Sequence, residues 1–271
     1  MSPVVARGRR APALYGDIAL LESPRMSSRY DLIGEDYPAV KELPVARYAE
    51  LPAVRAMLGD PRGRRVLDLA CGTGFYSRLV KGLGAAEVVG VDVSDAMVAA
   101  ARAEEARAPL GIVYRQGDVS ALGRIGEFDV ALGVLLLTYA THPEQLLRMA
   151  MSIRANLVNG GSLVAITMHP ECAFGPANYT KYGFTVTEVD PLSTGGDRIR
   201  LRAEIDAGFE IDNWRWSRDV YEDALTRAGF GEIAWRPILP SQEGRAAFGL
   251  GFWQDYLSDP VLVGLRAIAR A

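Results

Sequence analysis

Residues 66 to 76 read Val-Leu-Asp-Leu-Ala-Cys-Gly-Thr-Gly-Phe-Tyr. An apolar run meets an acid, then small residues, then two glycines one apart, then a helix-like segment. This is the pattern of a buried strand turning sharply into a helix. Gly72 and Gly74 let the chain bend there and let a ligand approach where a Cβ would collide. Downstream, Val88-Val89-Gly90-Val91-Asp92 is a second apolar strand ending in an acid. A carboxylate at that place can accept from both hydroxyls of a ribose. The two segments together describe a nucleoside pocket at the carboxyl end of an α/β sheet.

Other chemistry-bearing residues are few. The histidines are His142 and His169. His142 precedes Pro143 at a helix start and is expected to pack there. His169 follows a strand at the edge where ligands bind, so it is the better candidate base. No His/Cys/Asp cluster has metal-ligand spacing, and no metal is expected. Cys71 and Cys172 are the two cysteines, and Cys71 lies inside the glycine loop, so a structural disulfide is not expected.

In this sequence five elements follow one another in order: Asp68 to Gly74, Asp92, Gly117-Asp118-Val119, Phe128 to Leu132, and Asn159-Gly160-Gly161-Ser162-Leu163. Their succession resembles the class I S-adenosylmethionine (SAM)-dependent methyltransferases over residues 51 to 167. Ala70 departs from the glycine many members carry there. The resemblance implies SAM as cofactor. Asp92 would take the ribose hydroxyls and Asp118 the adenine amino group. Gly117 and Val119 would give backbone contact, and Val93 and Met97 would sandwich adenine. Asp68 would orient the loop of Ala70, Gly72, Thr73 and Gly74. Val134 and Leu135 would line the methyl side, where Tyr139 can reach the sulfonium or the acceptor. Tyr30 would close over the cofactor.

Methyl transfer is an in-line displacement at an activated carbon. Holding the two reactants in line supplies most of the rate. A base is needed only where the acceptor must lose a proton early; His169 and Tyr139 are the catalytic candidates. Segments such as Lys181-Tyr182-Gly183-Phe184 and Gly251-Phe252-Trp253 look like the small-molecule branch that includes azapteridine N-methyltransferases of toxoflavin-type pathways. That likeness implies a heteroaromatic or other natural-product acceptor, held by Tyr37, Tyr179, Tyr182, Trp214 and Trp216.

Two other readings stay open. A nicotinamide-dependent oxidoreductase shares the strand–glycine–helix plan, but Ser77 stands where its fingerprint wants a third glycine. A non-catalytic SAM-binding regulator would carry the same cofactor motifs.

The elements that must position these residues follow from periodicity. The expected fold is a Rossmann-like, doubly wound, seven-stranded, mostly parallel sheet. It should carry an N-terminal helical lid and a β-hairpin insertion after strand five. Residues 1 to 25 read as a disordered tail or as the product of a start upstream of Met26, and 26 to 60 as the lid. The core spans 61 to 168. The insertion, 169 to 216, is irregular to Asp197 and then a hairpin, with Trp214 and Trp216 on one face. Residues 217 to 271 complete the sheet, with a strand Ile233 to Ile238 and a late apolar helix. Of the 271 residues, 49% are hydrophobic and 23% charged, as in an ordinary globular chain. A net charge of −3 argues against a general nucleic-acid face, and no apolar run is long enough to span a bilayer. The expected partner is a small-molecule acceptor, without nucleic acid or membrane. The chain is expected to be a cytoplasmic monomer or homodimer.

Overall fold

A computed structural model describes residues 37–175, 179–206 and 208–271. Tyr30 and the proposed tail therefore lie outside the described residues. Tyr37 opens the first helix, but its side chain is also outside the description.

The central layer is a seven-stranded sheet in the order β3-β2-β1-β4-β5-β10-β9. Its strands are β1 (Arg65–Leu69), β2 (Glu87–Asp92), β3 (Val113–Gln116), β4 (Phe128–Val134), β5 (Leu157–Met168), β9 (Phe230–Pro237) and β10 (Leu262–Ala269). β1 and β4 are buried on both faces, which is why they read as continuous apolar runs. Helices α3 (Phe75–Gly82), α4 (Asp95–Arg107) and α5 (Pro143–Ala155) make the crossovers. The direction of winding reverses between β1 and β4, which opens the crevice where such sheets bind ligands.

The N-terminal elements are α1 (Tyr37–Val40), a π-helical turn (Ala46–Glu50) and α2 (Leu51–Leu58), with Pro52 in the first turn of α2. Pro52 lacks only a donor that has no partner there anyway. Ser94 caps α4 by accepting from Met97 N, and His142 Nδ1 caps α5 by accepting from Gln145 N at 3.2 Å.

The C-terminal half corrects the sequence reading in two places. The tail ends not in a helix but in β10, which inserts between β5 and β9 and alone runs antiparallel to its neighbours. Its residues Leu262 to Ala269 are almost continuously apolar because both faces are covered, and that pattern looks the same in a buried helix. The insertion is a three-stranded antiparallel sheet, β6-β7-β8, rather than a hairpin. β7 (Gly196–Ala203) and β8 (Phe209–Trp216) are the expected hairpin. β6 (Phe184–Pro191) is added at its edge, with an irregularity between Val186 and Glu188 that breaks its alternation. The outer face is laced by Arg198–Asp190 and Arg200–Asp212 pairs, and an Arg215–Asp197 pair closes the end of the inner face. Helices α6 (Arg218–Arg227), α7 (Gln242–Phe248) and α8 (Leu250–Ser258) complete the fold.

Trp216 is fully buried, and its Nε1 donates to Ala140 O at 2.9 Å. It packs with Tyr221 and Phe230, and Trp214 lies against the same cluster. Gly196 is required opposite it, since a Cβ there would stand 2.5 Å from the indole ring. Trp216 thus pins the insertion to the main sheet. Trp216→Ala is expected to cost about 3–5 kcal/mol of stability, as for other buried aromatic truncations. Denaturant unfolding checks this; a loss under about 1 kcal/mol would show that the site relaxes freely.

Candidate active site

The turn after β1 forces its residues into the left-handed region: Ala70 has φ 58°, Gly72 φ 53° and Gly74 φ 89°. Gly74 is required twice over. Besides its φ, a Cβ there would fall 2.3 Å from the Tyr114 hydroxyl, whose ring also fills the space above Gly90. Ala70 takes its strained conformation without the glycine that would ease it.

Asp92 ties the loop to the neighbouring strand. Its Oδ2 accepts from Gly72 N at 2.8 Å and its Oδ1 from Ser94 N at 2.9 Å. Cys71 N donates to Val91 O at 3.0 Å beside them. Two N–H bonds leave acceptor capacity on a carboxylate for hydroxyl groups arriving from the crevice. Asp68, 2% exposed, accepts from Ser77 Oγ at 2.5 Å. Ser77, which stands where a dinucleotide fingerprint has glycine, is committed to that buried bond. Burial lifts Asp68 to about 7; the Ser77 bond opposes the shift and the nearby Asp92 charge adds to it. Burial pushes Asp92 upward too, against its backbone bonds. Two acids raised together make a locus that gains from a cationic ligand.

The remaining cofactor candidates divide. Val93, 41% exposed, presents an apolar surface beyond β2. Asp118 is exposed and its Oδ1 accepts from Ser120 N at 2.8 Å, so it caps a 3-10 turn. Gly117 N donates to Asp92 O at 2.9 Å, which sets Gly117, Asp118 and Val119 beside the end of β2. Thr73 is half-buried within the loop. Met97 is 1% exposed and belongs to the packing under α4 rather than to an open adenine face. Val134 ends β4, and Leu135 turns away with φ 60°, its N–H donating to Ile166 O and its carbonyl accepting from Thr138 Oγ1. A non-glycine residue at positive φ is a strained position of the kind that gathers at functional sites.

Next to that edge lies a cavity of about 110 Å³. Leu135, Tyr139 and Met168 wall it from the main sheet. The second sheet contributes Phe184, Leu201, Ala203, Phe209, Ile211 and Asn213, and the N-terminal segment contributes residues from Val40 to Glu50. Lys41 and Glu50 form an ion pair of 2.7 Å in this wall, with side chains 7% and 4% exposed, and the Tyr76 hydroxyl donates to the same Glu50 oxygen at 2.7 Å. Tyr76 follows the glycine turn directly, so the network couples the cavity wall to the loop.

Several acceptor candidates stand elsewhere. Trp214 and Trp216 do face together, but on the side of β8 opposite Phe209, Ile211 and Asn213, because strand side chains alternate with period two. Tyr182 is fully buried; its hydroxyl donates to Phe252 O at 2.6 Å and its ring stacks on Trp253. Tyr179 stacks on Phe184 and donates to Asp259, serving the packing behind the wall. His169 follows Met168 and does not line the cavity; its Nδ1 accepts from Glu171 N at 3.1 Å, and burial lowers its pKa. Sequence reasoning missed Lys41, Glu50 and Asn213. The alternation along β8 carried a signal for Asn213, had the wall been assigned to its odd-numbered residues.

Residues 66–161 match the family described as a methyltransferase domain. The N-demethylindolmycin N-methyltransferase of Streptomyces griseus is 26% identical over 178 residues, which are 65% of this chain and 73% of that protein. The ubiquinone biosynthesis O-methyltransferase of Ruegeria pomeroyi is 34% identical over 108 residues, 40% of this chain and 42% of that protein. The chain thus spans less than half of the latter's length. The crystal structure of an S-adenosylmethionine dependent methyltransferase from Mesorhizobium loti superposes with a TM-score of 0.60 at 27% identity, covering 81% of this chain and 97% of that one.

The Asp68 shift has a signed consequence. Its folded value near 7 exceeds the ordinary carboxylate value, so between about pH 4 and 7 the native state holds more protons than the unfolded chain. Asp68 therefore lowers the stability of the ligand-free protein as pH rises through that window, by an amount of order 4 kcal/mol. Asp68→Asn is expected to gain stability relative to the parent on going from pH 5 to pH 8. Urea unfolding of both proteins at the two values is the check; a difference that stays constant would mean Asp68 ionises at its ordinary pH.

Proposed function

We propose a reaction for a chain that belongs to the class I S-adenosylmethionine-dependent methyltransferases: methyl transfer to a nitrogen or oxygen of a small, largely apolar acceptor. The cavity beside the end of β4 carries this reading. It adjoins the glycine loop through Tyr76 and Glu50, and its other walls are mostly hydrocarbon and aromatic.

When bound, SAM supplies a methyl carbon already activated by a positively charged sulfur. The residues present fit it. Asp92 keeps lone pairs for the ribose hydroxyls beyond those used by Gly72 and Ser94. Val93 offers an apolar surface to adenine, with Asp118 at the neighbouring turn. Asp68 and Asp92 place negative charge beneath a ligand that carries positive charge. Leu135 and Tyr139 stand at the boundary between this crevice and the cavity, where an acceptor atom must be aimed.

Orientation supplies the catalysis in this reading. Among the described residues of the wall, the ionisable groups are Lys41, Glu50 and Tyr139. Lys41 and Glu50 are already paired, which suits them to holding the wall in shape. The relatives named above act, by their names, as an N-methyltransferase and an O-methyltransferase, so both acceptor elements stay within range.

Two measurements test the assignment. Asp92→Ala should weaken SAM binding tenfold or more, since losing a charge-assisted pair costs over about 1.4 kcal/mol. Unchanged affinity by calorimetry would remove Asp92 from the ribose site. Ile211→Trp, which fills the cavity, should reduce methylation of an indole, quinol and heterocyclic-amine panel by about thirtyfold or more. SAM affinity should stay within about threefold, a change under ~0.7 kcal/mol. Methyl-labelled SAM with mass-spectrometric detection reads the outcome, and full turnover in this variant would place the acceptor elsewhere.

A further inference from the structure

The inner face of the second sheet is apolar from Ile199 to Ala203 on β7 and from Phe209 to Ile211 on β8, and beyond Asn213 it ends in the Asp197–Arg215 ion pair. Ile199, Leu201 and Ala203 of β7 face the same way as Phe209 and Ile211 of β8. Asn213 continues that row, paired across the ladder with Ile199. Its side chain lines the cavity and the residue is 3% exposed. Among the described residues, Nδ2 of Asn213 has no hydrogen-bond partner.

An amide buried in this state is costly, and an apolar residue of the same shape would avoid the cost. The other polar groups of the wall are not in this condition, since Lys41 and Glu50 hold each other and Tyr76. Among the described residues of the wall, Asn213 is the one with a buried side-chain donor that has no partner within the protein. We propose that Asn213 is a specificity-determining residue, whose amide donates to a carbonyl oxygen, hydroxyl oxygen or ring nitrogen of the acceptor. The proposal rests on the cavity being the acceptor pocket.

The rest of the wall narrows the ligand class. The positive charge of Lys41 is matched by Glu50, so the pair adds no net charge and the pocket suits a neutral molecule. Phe209, Ile211, Leu201 and Met168 ask for an aromatic or aliphatic body. The acceptor is therefore a neutral, mostly apolar molecule with one hydrogen-bond-accepting atom directed at β8. A pocket built this way rejects an analogue lacking that atom, because the amide is then left buried and unpaired.

Acetophenone and ethylbenzene test this, since they share a phenyl ring and a two-carbon side chain and differ by a carbonyl in place of a methylene. Each is titrated by calorimetry into the full chain saturated with S-adenosylhomocysteine. The unaltered protein is expected to bind acetophenone at least about fivefold more tightly than ethylbenzene. Asn213→Leu is expected to reverse that order while leaving S-adenosylhomocysteine affinity within about threefold. Asn213→Val, which removes the amide without adding a titratable group, serves as a second variant and should also lose the preference. Equal binding of the two probes to the unaltered protein, or a preference that survives either substitution, overturns the role of Asn213. Binding of neither probe, or binding of both undiminished in Ile211→Trp, overturns the reading of the cavity itself.

Discussion

One carboxylate holds the two halves of the cofactor crevice in register. Asp92 stands at the end of β2 and accepts from Gly72 in the loop after β1 and from Ser94 in its own turn. Left-handed turns are soft unless something over-determines them, and here a charge-assisted pair of N–H bonds does so. Gly74 adds a steric lock, because the Tyr114 ring occupies the space a side chain would need. The loop is thus built before a ligand arrives, and in the proposed reading a nucleoside would meet backbone already in place rather than backbone it must order.

The proposed acceptor side is constructed differently. Its cavity is bounded by three independent elements: the edge of the main sheet, the inner face of β6-β7-β8 and the N-terminal segment through Glu50. Trp216 fastens the second sheet to the first through Ala140, close to Leu135 and Tyr139 in the chain. On the far side Tyr182 is bonded to the backbone of Phe252 and Tyr256 within the C-terminal aromatic cluster. These large aromatics set the distance between the sheets, and smaller side chains such as Ala203 and Ile211 leave the space. That explains why the residues that looked most like a binding surface serve the packing instead. An aromatic strong enough to hold a flat ligand is also what a junction between two sheets requires.

The juxtaposition of the glycine loop with Asp92 was legible because its pattern is local. Asp68 to Gly74 and Asp92 are short runs in which strand, turn and acid occur together, and the structure joins them as their spacing implies. The acceptor half depends on long-range register. Whether Asn213 or Trp214 faces the cavity is decided by how β8 is laid on β7, and neighbouring residues on one strand give opposite answers. β10 was misread for a related reason: a strand covered on both faces loses the alternation that marks it. Lys41 and Glu50 escaped notice because their pairing spans nine positions through a π-helical turn, which no simple helical spacing reproduces.

The two halves also differ in how they handle charge. The cofactor crevice keeps Asp68 and Asp92 close enough that the charge of Asp92 raises Asp68, and the loop thiol of Cys71 is pushed well up by burial beside both. Lys41 relieves Asp68 only weakly, being bonded to Glu50 across the wall. Negative charge is therefore left unbalanced on one side of Tyr76 and balanced on the other. Charge placed in this way favours a cationic ligand at the loop and, in the proposed reading, a neutral body in the cavity.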